Sequence, residues 1–169
     1  MTLPHSFIRL LLGASLTMLT LFRPPPAHAK ENTFAIGIAL GEPTALDFKW
    51  RGSPLFGLNV GVGAHHFSRS LAVYVDLEFA PVHFKAGAAS GAFYVGPGLQ
   101  LGIADGDHYY GFKKEYGGGT YLGIMVPIGV EFAFSFPLEI FVELRPGIVV
   151  LESPGYFDLG GQLGFRFGW

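Results

Sequence analysis

Apolar and polar residues alternate with a period of two along most of this chain. The pattern is clearest near the C-terminus, where Phe157, Leu159, Gly161, Leu163, Phe165, Phe167 and Trp169 share one parity. The other parity holds Asp158, Gly160, Gln162, Gly164, Arg166 and Gly168. Successive side chains of a strand point to opposite faces, so this segment predicts an extended strand with one apolar and one polar face. Seven further segments repeat the alternation, at 34–40, 46–50, 56–62, 71–79, 93–103, 122–134 and 138–150. The pattern predicts an all-β fold of eight antiparallel strands.

The connections between these segments have their own order. If the C-terminus marks one end of the fold, the turns at that end fall near 51–54, 85–91 and 135–137. Those at the other end fall near 41–44, 68–70, 104–119 and 152–156. Short turns at one end and at least one long loop at the other fit an up-and-down transmembrane β-barrel. Pro97, Pro127 and Pro146 stand inside proposed strands and cannot donate to a ladder. They are read as candidate bulges, which would shift the parity by one residue. Pro81 is read the same way, because Val82 and Phe84 fall out of phase with Phe79.

Composition decides what solvent the apolar face meets. The chain holds 25 Gly and 17 Phe, and only 14% of its residues are charged, against roughly 25% in soluble domains. No apolar run approaches the ~20 residues of a membrane-spanning helix. An apolar, charge-poor chain without such a helix can satisfy its backbone in lipid by closing a barrel. Turning a Lys or Arg to lipid near the midplane costs about 2–4 kcal/mol. The polar parity carries Asp47, Lys49, Asp76, Glu78, Glu131, Glu139, Glu143, Arg145 and Arg166, so it is assigned to the lumen, with Asp158 at the same parity. An eight-stranded barrel is just wide enough for side chains to fill it. These nine residues therefore predict a hydrogen-bonded charge network that plugs the interior. A small conducting pore is the alternative for the same residues.

The first 29 residues are read as a cleaved signal peptide. Arg9 supplies positive charge, residues 10–22 are apolar, and Ala27-His28-Ala29 has the form of a cleavage site. This thirteen-residue stretch would span only about 20 Å as a helix, too little for an anchor. Residues 30–169 then form the barrel domain. That part has 9 Lys+Arg and 13 Asp+Glu, a balance that predicts no nucleic-acid partner. The chain has no cysteine, which removes disulfide frameworks and thiolate metal sites.

The most specific motif is Gln162-x-Gly164-x-x-Phe167-x-Trp169. It resembles the signal read by the outer-membrane assembly machinery, with Trp where most such proteins carry Phe. Residues 30–169 as a whole resemble the small eight-stranded outer-membrane barrels of the size of OmpX and the OmpA membrane domain. Two stretches, 37–44 and 137–143, more narrowly resemble a family of uncharacterised small bacterial outer-membrane barrels. The resemblance implies a Gram-negative outer-membrane location, with outer-membrane lipid and the assembly machinery as partners. It implies no activity, since that family has no agreed catalytic residues.

Other candidate chemistry is sparse. His66-x-Ser68 has the spacing of a hydrolase pair, and Glu78 follows ten residues after Ser68. The parity, however, turns Glu78 inward and His66 outward. Asp105 and Asp107 invite a calcium-loop reading, but Lys113 and Lys114 occupy the region of the remaining ligands. His65, His83 and the other histidines lack metal-ligand spacing. The sequence therefore predicts no catalytic residue, cofactor or metal. The predicted role is envelope structure, or contact with a surface ligand through the loop at 104–119. The alternative is a membrane-embedded lipid-modifying enzyme related to lipid A deacylases. A soluble periplasmic ligand-binding barrel would need the opposite arrangement, apolar inside and polar outside.

Overall fold

The computed structural model describes residues 32–65, 70–104, 108–110, 113–115, 119–151 and 155–169. The segment read as a signal peptide, His66-x-Ser68 and the Asp105/Asp107 pair lie outside the described residues. The strands are β1 (Phe34–Glu42), β2 (Thr44–Arg51), β3 (Phe56–His65), β4 (Ser70–Ala86), β5 (Ala89–Val95) and β6 (Gly98–Ala104). They continue as β7 (His108–Tyr110), β8 (Lys113–Glu115), β9 (Gly119–Met125), β10 (Ile128–Phe134), β11 (Leu138–Val149) and β12 (Phe157–Gly168).

Ten of these form one sheet in which each strand pairs antiparallel with its neighbours, and β12 returns to pair with β1. β5 and β6 are two halves of a single crossing, both paired with β4. β9 and β10 are likewise two halves, both paired with β11. The sheet is therefore a closed, eight-stranded, up-and-down barrel. Closure leaves this ten-stranded sheet without a terminal edge strand, the liability of an open sheet.

The burial pattern follows the alternation along each crossing. In β2, Ala45, Asp47 and Lys49 are buried while Leu46, Phe48 and Trp50 are exposed. In β11, Glu139, Phe141, Glu143 and Arg145 are buried while Val142 and Leu144 are exposed. Among the described residues the wall of the barrel presents an apolar exterior, and the nine charged residues of the polar parity are inside. Its aromatic residues gather at the end that carries the chain termini, where Phe34 meets Phe48 and Trp169 at 6.0 and 6.3 Å, and Phe84 meets Phe93 at 5.2 Å.

The prolines behave differently from the expectation. Among the described residues only the Pro81 region shifts register: Phe79 pairs with Val95 and Val82 with Phe93, so β4 carries one extra residue there. Pro97 and Pro127 interrupt their strands without changing parity, since Tyr94 and Gln100 both face inward, as do Met125 and Glu131. Pro146 lies within β11 and also leaves the parity intact. Each proline carbonyl still accepts a bond from the neighbouring strand: Leu77 N–H donates to Pro97 O, Gly96 to Pro127 O and Val126 to Pro146 O. Each proline simply fails to return the reciprocal bond. Three adjacent ladders thus each lose one hydrogen bond near the same level.

Two connections also differ from the sequence reading. The turn placed at 85–91 is only Gly87 and Ala88, because β4 and β5 run on to either side. Gly87 has φ of 61°, which lets a two-residue turn close the hairpin. The long loop at 104–119 contains a small hairpin of β7 and β8.

Candidate functional site in the polar lumen

Asp47, Lys49, Asp76, Glu78, Glu131, Glu139, Glu143, Arg145 and Arg166 all lie buried in the lumen. Strand pairing fixes where each sits, and the charges collect toward the end that holds the termini. There Arg51 grips Glu139 through two hydrogen bonds, of 2.9 and 3.1 Å, and reaches Glu131 at 2.9 Å. Lys49 Nζ contacts Glu131 at 2.5 Å and pairs with Glu78. Arg166 donates to Asp47 and approaches Glu131 at 3.8 Å. One level further in, Arg145 holds Asp76 through bonds of 2.6 and 3.0 Å and Glu143 through one of 2.6 Å. Among the described residues, six carboxylates face four cations in this network.

Aromatic side chains carry the network across the barrel. Tyr74 stands opposite Gly61, which in turn stands opposite Asp47. A Cβ on Gly61 would fall 2.1 Å from the Tyr74 ring; its absence lets the ring cross β3, and the hydroxyl donates to Asp47 Oδ2 at 2.7 Å. Tyr94 repeats this over Gly129, with Glu143 as acceptor at 2.8 Å. Phe141 lies over Gly164 in the same way. Cations lie over these rings. Arg145 sits 4.2 Å from the Tyr74 centroid, Lys49 5.0 Å from Tyr94 and Arg166 3.8 Å from Phe141.

The opposite half of the lumen is less charged. Gln162 is buried and donates to Pro43 O at 2.7 Å. Nearer the mouth, Tyr121 crosses Gly102 and its hydroxyl contacts His65 Nε2. Gln100 Nε2 lies 3.3 Å from the Tyr121 hydroxyl, and Glu42 Oε1 lies 3.6 Å from His65 Nδ1. Asp158 is half-buried at the inward parity.

The C-terminal motif divides between the two faces. Gln162 points inward and Gly164 lies under the Phe141 ring. Phe167 and Trp169 are exposed on the apolar exterior, and Trp169 N–H donates to Phe34 O at 2.9 Å, which helps join the last strand to the first.

Sequence reasoning missed Arg51, which it placed in a turn, although the parity of Asp47 and Lys49 extends to it. It did not single out Tyr74, Tyr94, Gln100, Tyr121 and His65 as network members. The signal for Tyr74, Tyr94 and Tyr121 is an aromatic residue on the polar parity of a chain rich in glycine. Among the described residues, no group of three or more His, Cys, Asp or Glu side chains is placed to hold a metal ion.

No curated protein matches the chain. Among solved structures, the crystal structure of Acinetobacter baumannii CarO is similar at a TM-score of 0.39 and 12% identity, covering 84% of this chain and 100% of that one. The family model described as "Protein of unknown function (DUF3996)" matches residues 27–167, and the chain belongs to that family.

Proposed function

We propose that this chain is an integral outer-membrane barrel, sealed by its own polar side chains, that serves as an envelope component and surface-contact scaffold. The observation that carries the reading is the inversion of burial. Arg145, Arg166, Asp76 and Glu139 are 0% exposed, while Leu46, Leu77, Leu144 and Trp169 are 58–66% exposed. In water that exterior would be an aggregation surface far larger than the few hundred Å2 of apolar patch seen on soluble monomers. In lipid it is a solvated face, and the ladders need no water.

The C-terminal motif supports targeting by the outer-membrane assembly machinery, with Phe167 and Trp169 presented outward and Gln162 and Gly164 inward. The ion-paired rings across the lumen support a barrel that does not conduct. The segment at 104–119, with its β7–β8 hairpin, is the part best suited to meet a surface ligand.

Detergent extraction followed by gel migration with and without heating tests the reading. A folded barrel that needs detergent and migrates differently after boiling is expected. A chain that stays monodisperse without detergent would end the membrane reading. In planar bilayers the expected result is no steady single-channel step; regular steps from the purified protein would overturn the sealed lumen.

A further inference from the structure

Glu42, His65 and Tyr121 form a carboxylate–imidazole–phenol series at the mouth opposite the termini. They come from the ends of β1 and β3 and from β9, and Gln100 of β6 joins them. Glu42 Oε1 lies 3.6 Å from His65 Nδ1. The Tyr121 hydroxyl hydrogen-bonds with His65 Nε2, and Gln100 Nε2 lies 3.1 Å from that same ring nitrogen. Gln100 Nε2 also donates to the Tyr121 oxygen at 3.3 Å.

The two ring nitrogens therefore face partners of opposite character. A carboxylate beside Nδ1 favours the tautomer with its proton there, which leaves Nε2 as an acceptor. The phenol of Tyr121 then donates to a group able to take its proton. The Gln100 amide donates to the oxygen that would be left charged. This is the order of groups that an activated nucleophile requires. The other tyrosines of the lumen are arranged differently: Tyr74 and Tyr94 donate straight to Asp47 and Glu143, deep in the ion-paired half. Tyr121 is 3% exposed, but the side chains of His65 and Glu42 are 13% and 21% exposed, so the cluster opens to the mouth on their side.

We propose that Tyr121 is a nucleophile for acyl transfer, acting on a carboxylic ester that enters by this mouth. Tyr121 Oη attacks the ester carbonyl carbon while His65 Nε2 takes the phenolic proton. The carbon–oxygen bond to the alcohol breaks, and His65 returns the proton to the departing alkoxide. The acyl group then rests on Tyr121 as an aryl ester. Water attacks it, His65 passes the water proton to the phenolate, and a carboxylic acid leaves. The sum is ester plus water to acid plus alcohol, with no cofactor. Glu42 is a positioning residue that orients the imidazole. The inference goes beyond the scaffold role, and a barrel without this activity would still be sealed.

The test uses the folded full barrel in detergent with 4-nitrophenyl hexanoate. Nitrophenol release above the detergent blank is expected, with a hexanoyl mass added on the peptide that holds Tyr121. Tyr121→Phe should remove both, and His65→Gln should slow release by about 100-fold, the scale of general-base catalysis. Glu42→Gln should lower kcat with KM unchanged. Release at the blank rate, or release that survives Tyr121→Phe, would overturn the proposal. If either variant fails to fold, native protein treated with an aryl sulfonyl fluoride decides. Modification mapped to Tyr121 supports it, and modification of other tyrosines with Tyr121 untouched overturns it.

Discussion

Tyr94 lies across Gly129 of the neighbouring strand and reaches beyond it to donate to Glu143 Oε2 at 2.8 Å. Gly129 is paired with Tyr94 on one side and with Glu143 on the other, so the glycine is the gap through which the ring passes. A Cβ there would stand 2.4 Å from the ring and 2.8 Å from the Val142 carbonyl oxygen. Gly129→Ala should therefore push the ring aside and weaken the bond to Glu143. The expected cost is about 1–3 kcal/mol, as for overpacking elsewhere. A lowered urea midpoint in detergent, relative to the native barrel, checks this. Gly87→Ala is not a suitable control because its φ is 61°.

Arg145 is the partner of two carboxylates at once, Asp76 and Glu143, and all three are 0–1% exposed. Arg145→Met leaves both carboxylates buried without their cation. Breaking such a pair from one side costs about 3–5 kcal/mol. Adding Asp76→Leu and Glu143→Gln to the same variant should restore much of the lost stability, since no charge is then stranded. Comparison of unfolding midpoints for the single and triple variants measures the coupling; equal midpoints would show that the pairing does not matter to stability.

The outer wall makes the opposite demand. Leu99 is 53% exposed on the exterior of β6, two residues beyond Pro97. Leu99→Arg should lower unfolding stability in lipid vesicles by about 2–4 kcal/mol, and Leu55→Arg, in the turn between β2 and β3, by about 0–1 kcal/mol, following the depth dependence of charge on a lipid face. A soluble protein would tolerate both equally. Unfolding titrations in vesicles separate these outcomes.

The strands and their faces were legible in the sequence because parity is a local property. Leu46, Phe48 and Trp50 declare their side of the wall without reference to any other strand. The lumen was legible only as a set of charges. Which carboxylate meets which cation depends on the stagger between strands, and Asp47 and Arg166 are 119 positions apart in the chain. For the same reason the service of Gly61 to Tyr74, or of Gly102 to Tyr121, could not be read from composition. Arg51 was missed because its backbone ends a strand while its side chain reaches back into the lumen. Pro97 and Pro127 misled for a different reason: a lost donor breaks a hydrogen bond without necessarily adding a residue, and only an added residue shifts parity.

In the proposed barrel the apolar exterior faces lipid, and the chain carries its own reporters of that contact. It has two tryptophans, Trp50 and Trp169, exposed by 43% and 61% on the outer wall. Fluorescence of the native barrel in vesicles containing phospholipids with brominated acyl chains reports which solvent these side chains meet. Strong quenching of this emission by the brominated chains and little by aqueous iodide is expected. Emission untouched by brominated lipid and quenched by iodide would contradict a lipid-facing exterior.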